Sequence, residues 1–127
     1  MIKLGREKSE LGVVFDQIGT PTYAADLASA IDVILHSSLY VPGIYHYTDE
    51  GVCSWYDFTL AIHREAGVER CLVRPLHTDE YPTPASRPHY SVLDKTKIKQ
   101  TYDIEIPYWE ESLNKCIQKL KDDALLP

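Results

Sequence analysis

The chain has 127 residues, 44% hydrophobic and 25% charged, which fits one globular α/β-sized domain over 1–127 and excludes a disordered segment. Its formal net charge of −6 excludes a general nucleic-acid binder, which needs a basic surface, but leaves open a small anionic ligand that needs only local positive groups. No apolar run approaches the ~18–20 residues that cross a bilayer, Met1–Arg6 lacks a signal-peptide core, and Cys53, Cys71 and Cys116 form no C-x-x-C pair, so the expectation is a cytoplasmic protein with free thiols, no metal site and no membrane partner.

Residues 1–10 read as the end of a helix too short to stand alone, as though cut from something longer or docked on a partner. Leu11–Phe15 reads as a strand. The stretch Asp16-Gln17-Ile18-Gly19-Thr20-Pro21-Thr22 then forms a polar turn into a helix, with Thr22 as a cap and Asp26 near the positive end of the helix dipole. Such a strand, loop and helix start is a common place for an anion, and more often is a plain connection. The helix spans about Tyr23–Ser37, with Leu27, Ile31, Ile34 and Leu35 at amphipathic spacing. After the turn Val41-Pro42-Gly43, Ile44–Thr48 reads as a strand covered on both faces, which makes His46 a hydrogen-bonded core residue.

Ser54 with Asp57 forms a capping box, and Gly67 closes the following helix, Trp55–Ala66. Trp55 is expected as a core anchor and His63 as an exposed residue. Cys71–Leu76 reads as a strand that Pro75 confines to an edge or an end. Tyr81–Pro88 carries three prolines in seven residues and reads as a stiff extended loop. Arg87 in that loop either forks onto a phosphate or ties the loop to backbone carbonyls. Tyr90–Leu93 is a short strand, Asp94 caps a helix over Lys95–Gln100, and a last helix from Ile106-Pro107 turns Trp109, Leu113, Cys116, Ile117 and Leu120 inward. The tail, Lys121–Pro127, is expected to fray.

Two chemistries are missing from the pattern. The six glycines are scattered and form neither G-x-G-x-x-G nor a P-loop, so there is no sequence sign of a dinucleotide cradle. None of the nine tyrosines has lysine four residues on, so the pair in which lysine lowers a tyrosine pKa for carbonyl reduction is not present. The five histidines form no close metal pair and there is no G-x-S-x-G elbow. Strand–helix alternation gives an α/β class, but the strands are too few and short for a complete doubly wound sheet.

Four ordered segments carry a resemblance over nearly the whole chain. Asp16-Gln17-Ile18-Gly19-Thr20-Pro21-Thr22 through Asp26-Leu27-Ala28 resembles the D-Q-x-G-x-P-T-x-x-x-D-L-A signature of the dTDP-4-dehydrorhamnose reductases. Gly43–His46 with Ser54–Phe58, Tyr81–Pro88, and Ser91–Asp94 with Trp109 resemble that family's G-x-Y-H…S-W-Y-x-F, Y-P-T-P-A-x-R-P and S-x-L-D…W segments. The resemblance implies the C-terminal, substrate-binding part of an extended short-chain dehydrogenase: few short strands and about four helices, without the N-terminal Rossmann half. It further implies a family that reduces dTDP-4-dehydro-L-rhamnose to dTDP-L-rhamnose with NADPH or NADH, for cell-surface polysaccharide. This segment alone is expected to bind no cofactor and to be inactive, since the family's catalytic residues precede the matching part. The resemblance makes Gln17, Thr20 and Arg87 substrate-side candidates; no residue here inherits a catalytic role. The implied partners are a dTDP-sugar and either the missing Rossmann half or a second copy, met through exposed apolar surface. A non-catalytic nucleotide-sugar-binding or association module of the same descent is the alternative.

Overall fold

A computed structural model describes residues 1–126. In chain order the elements are α1 (Ile2–Glu7), β1 (Glu10–Val14), β2 (Ile18–Gly19), α2 (Ala24–His36), β3 (Cys53–Ser54), α3 (Trp55–Ala66), β4 (Leu72–Leu76), a 3-10 turn (Thr78–Glu80), β5 (Tyr90–Ser91), α4 (Thr96–Tyr102) and α5 (Trp109–Asp122). The α/β reading holds. β1 runs parallel to β4, with Glu10 opposite Leu72 and Val14 opposite Leu76. The second sheet has the order β3-β2-β5; β2 is antiparallel to β3 and parallel to β5. Through this small sheet Ile18 pairs with both Ser54 and Tyr90. The turn after β1 is thereby tied to the start of α3 and to the far end of the proline-rich loop.

Three apolar clusters hold the fold. α3 packs on α5 through Ala61, Ile62, Ala66, Trp109, Leu113 and Ile117. Leu11, Val13, Cys71 and Val73 fill the space beneath the parallel pair. Ala30, Ile98 and Ile104 form the third cluster, with Tyr45, Tyr47 and Tyr102 around it. α3 starts as its sequence dictates. The Asp57 N–H donates to Ser54 Oγ at 3.0 Å, and the Ser54 N–H donates to Asp57 Oδ2 at 3.1 Å. It stops at Gly67, whose φ of 67° and ψ of 37° are left-handed values that glycine adopts without a Cβ penalty.

Several expectations differ from the structure, each for a local reason. Ile44–Thr48 joins no ladder, and Ile44 and His46 are exposed. Its tyrosines go into side-chain packing instead: Tyr45 meets Tyr102 edge-on at 5.4 Å, and its hydroxyl donates to the Val41 carbonyl at 2.8 Å. Thr22 does not cap α2. The carboxylate of Asp49, 1% exposed, accepts the Tyr23 N–H at 2.9 Å from across the fold. The apolar stripe of α2 is only partly covered: Ala30 is buried, whereas Ile31 is 48% and Leu35 75% exposed.

His63 is buried, not exposed, because it packs against α1 at Gly5. A Cβ on Gly5 would come within 2.5 Å of His63 Nε2. The last helix starts at Trp109, two residues later than Pro107. The Pro107 carbonyl accepts the Glu50 N–H at 2.8 Å and the Trp109 N–H donates to the Glu50 carbonyl at 3.0 Å, so this stretch is still pairing with a neighbour. The strand expected over Tyr90–Leu93 is shorter, β5 at Tyr90–Ser91. The helix after it spans Thr96–Tyr102, with Asp94 Oδ1 accepting the Thr96 N–H at 2.8 Å. At the tail, α5 ends at Asp122 and Pro127 lies outside the described residues.

Candidate functional site

A half-open cleft of about 580 Å³ lies between α1, β1, the first residue of α3 and the Tyr81–Pro88 loop. Its inner side is apolar, with Leu4, Val13, Val14 and Trp55; its outer side carries Gln17, Tyr81 and Arg87. Each wall follows from the elements above. β1 delivers Gln17 to the rim three residues after its end, and the small sheet ties Ile18 beside it. The capping box fixes Trp55 at the first position of α3, where the helix has no preceding turn to cover it. Trp55 is therefore 56% exposed and faces the cleft, not the core.

The structure brings two of the three substrate-side candidates together. Gln17 and Arg87 both line the cleft. Gln17 is oriented by its Nε2, which donates to Thr78 Oγ1 at 3.2 Å. Arg87 is exposed, and among the described residues neither Arg87 nor Lys8, the other cation lining the cleft, has an ion-pair partner. Nor does Arg87 donate to a backbone carbonyl among the described residues, so the loop-tying role set out for it has no bond to support it. Glu10, which also lines the cleft, is held by Arg74 Nε at 3.0 Å. Thr20 stands apart. It lines a smaller recess with Pro21, Ser54, Trp55 and Phe58, and its hydroxyl donates to the Gly51 carbonyl at 2.8 Å.

Two carboxylates near the opening turn are held in opposite directions. Asp16 is kept below the ordinary carboxylate value, chiefly because the Thr78 hydroxyl donates to it at 2.7 Å. Asp49 is pushed above it by burial, with the neighbouring Asp26 charge acting the same way. The Cys53 thiol is pushed up to about 12 by burial, so it is no nucleophile at neutral pH. Among the described residues no group of three or more His, Cys, Asp or Glu side chains is placed to hold a metal ion. No helix among them is long and apolar enough to cross a membrane.

The chain matches a known family, the RmlD substrate binding domain, over residues 1–122. This chain belongs to that family. It is 44% identical over 119 residues to the spore coat polysaccharide biosynthesis protein SpsK of Bacillus subtilis (strain 168), covering 94% of this chain and 40% of that protein. It is 42% identical to the dTDP-4-dehydrorhamnose reductase of Aggregatibacter actinomycetemcomitans, over 89% of this chain and 42% of that one. Among solved structures, the dTDP-4-dehydrorhamnose reductase of Bacillus anthracis str. Ames in complex with NADP superposes with a TM-score of 0.85 at 39% identity, over 93% of this chain and 41% of that one. The chain thus spans about two fifths of the length of these relatives.

Within this RmlD substrate binding domain, sequence reasoning missed two residues of the cleft region. Trp55 shares the helix face of Phe58 and Ile62, which points to the core; its place directly after the capping serine, at the open end of that face, is the signal that it is exposed. Asp16 went unassigned beside Gln17, because its partners Thr78 and His89 are 62 and 73 residues away.

Proposed function

We propose that this chain is the nucleotide-sugar-binding portion of a dTDP-4-dehydrorhamnose reductase, an enzyme that reduces the 4-keto group of dTDP-4-dehydro-L-rhamnose with NADPH or NADH. The observation that carries the proposal is the cleft that Gln17 and Arg87, the latter without an ion-pair partner among the described residues, line together with Trp55 and Tyr81. A guanidinium with no internal partner suits a diphosphate, which it can engage with two parallel N–H donors. Trp55 and Tyr81 offer flat apolar faces to a base or a sugar, and Gln17 offers both a donor and an acceptor to a sugar hydroxyl. Chain-wide similarity to proteins named dTDP-4-dehydrorhamnose reductase supports the choice of nucleotide sugar.

The residues present do not fit a dinucleotide. β1 is followed by the short strand β2, not by a glycine-rich turn and a helix, and Gly12 lies against the Leu76 side chain within the parallel pair. No reduction step is therefore assigned to this chain's own side chains, and turnover belongs to a protein that also holds the cofactor. In isothermal titration the chain is expected to bind dTDP-L-rhamnose saturably, while NADPH or NADH oxidation with dTDP-4-dehydro-L-rhamnose stays at background. Steady turnover by the chain alone, or no binding heat at all, overturns the proposal. The uncovered stripe of α2, with Ile31 and Leu35, favours a second reading as an association module. Concentration-dependent self-association without nucleotide-sugar binding is the result that selects it.

A further inference from the structure

We infer that Asp16 is a positioning residue for the cleft: it grips both ends of the Tyr81–Pro88 loop and so sets where Arg87 and Gln17 stand. This rests on the reading of the cleft as a nucleotide-sugar site. The loop does not hold itself in place. Every residue from Tyr81 to Ser91 is exposed. Among the described residues, no hydrogen bond joins residues 82–88 to the rest of the chain; the Thr83 hydroxyl donates to the Ala85 carbonyl at 2.8 Å, inside the loop. Its path is set by stiff prolines and by its two ends.

Both ends meet Asp16. Before the loop, Thr78 donates its N–H to Asp16 Oδ2 at 3.1 Å and its hydroxyl to Oδ1 at 2.7 Å. After the loop, the Asp16 carbonyl accepts a hydrogen bond from His89 Nδ1 at 2.9 Å, and the Ile18 N–H donates to the His89 carbonyl at 2.8 Å. The imidazoles of His77 and His89 stand 3.7 and 3.8 Å from Oδ2. Asp16 is a firm post because Phe15, next to it, donates its N–H to the Leu76 carbonyl at 3.0 Å and extends the β1–β4 ladder. Arg87 is two residues from His89, so a shift at that end reaches the guanidinium with one proline between. The same Thr78 hydroxyl that Asp16 holds also accepts from Gln17. Asp16 therefore holds the Thr78 end, and through it Gln17, by its carboxylate, and the His89 end by its backbone carbonyl, with Oδ2 3.8 Å from the same imidazole.

The test uses the full chain with Asp16→Ala, Thr78→Val and Thr78→Ser. ¹⁵N order parameters are read at Thr83, Ala85, Ser86 and Arg87. They are expected to fall below about 0.6 in Asp16→Ala and Thr78→Val, to stay above that value in the parent and in Thr78→Ser, and to remain unchanged in β1 and β4. With dTDP-L-rhamnose as the probe, Asp16→Ala is expected to weaken binding about tenfold, yet less than twofold once Arg87→Ala is present, because the two act through one loop. Unchanged order parameters in both disruptive variants, a parent loop already below that value, or fully additive binding losses overturn the inference. If Asp16→Ala unfolds, Thr78→Val decides. If the parent binds no dTDP-L-rhamnose, the nucleotide-sugar reading fails, while the order parameters still decide whether Asp16 holds the loop.

Discussion

The two walls of the cleft are built in opposite ways. The inner wall, α1, β1 and the start of α3, rests on buried residues and on ladder and helix hydrogen bonds, with Cys71, Val73, Ala61 and Ile62 packed beneath it. The outer wall, Tyr81–Pro88, is exposed throughout and is fixed only at its ends. The inner wall gives the cleft its shape and apolar surface. The outer wall adds Arg87 to the charges of Lys8 and Glu10. Under the proposed function, stability and ligand recognition fall on different segments, and substitutions on the two sides should have different signatures.

The largest stability loss belongs to the inner wall. Ile62→Ala, in the α3–α5 interface, is expected to cost about 2–5 kcal/mol in urea unfolding, since it removes buried methyl groups and leaves a cavity. Gly5→Ala places a Cβ against the buried His63 ring and Val68, and is expected to cost about 1–3 kcal/mol through overpacking. Ser54→Ala removes the cap that presents Trp55 and should cost about 1 kcal/mol. Smallest is Arg87→Ala, expected within about 0.5 kcal/mol of the parent in stability while weakening dTDP-L-rhamnose about tenfold. An Arg87→Ala chain that melts as badly as Ile62→Ala would erase the separation between the walls.

The two aspartates sharpen the same contrast through pH. Asp49, buried under the start of α2, has its carboxyl raised above the ordinary 3.8, so the fold favours its neutral form. The stability it contributes is present below 3.8 and is lost as pH rises through its raised value. Asp49→Asn should remove that loss, with its advantage in urea midpoint growing from pH 4 upward and then levelling. Asp16, at the loop ends, is lowered by Thr78. Its contribution is present above 3.8 and is lost as pH falls through its lowered value. Asp16→Asn should flatten the acid limb alone. A single variant that flattened both limbs would mean the two groups are not independent.

Much of the inner wall was legible in the sequence because its signals are local. Ser54 with Asp57, Gly67, and the spacing of Phe58, Ile62 and Ala66 fix α3 within a dozen residues. Trp109, Leu113 and Ile117 do the same for the inward face of α5. Where the outcome depended on partners far along the chain, local pattern was silent. Ile44–Thr48 has strand composition, but among the described residues no strand lies beside it to pair with. Thr22 is a good cap by type, yet the buried Asp49, 26 residues from Tyr23, takes the N–H. The amphipathic stripe of α2 is real in sequence, while the surface it meets covers Ala30 and leaves Leu35 in solvent. Arg87 stood out by its place in the proline-rich loop and Gln17 through the ordered segments, while their shared place in one cleft depends on the β3-β2-β5 sheet, which pairs Ile18 with Tyr90.

The most direct test of the account is a crystal structure of this chain grown with dTDP-L-rhamnose. The account predicts a diphosphate in the cleft between β1 and the Tyr81–Pro88 loop, with its oxygens about 3 Å from the Arg87 guanidinium and an apolar face of the ligand against Trp55. A nucleotide sugar bound elsewhere on the chain, or an empty cleft at saturating ligand, would contradict it.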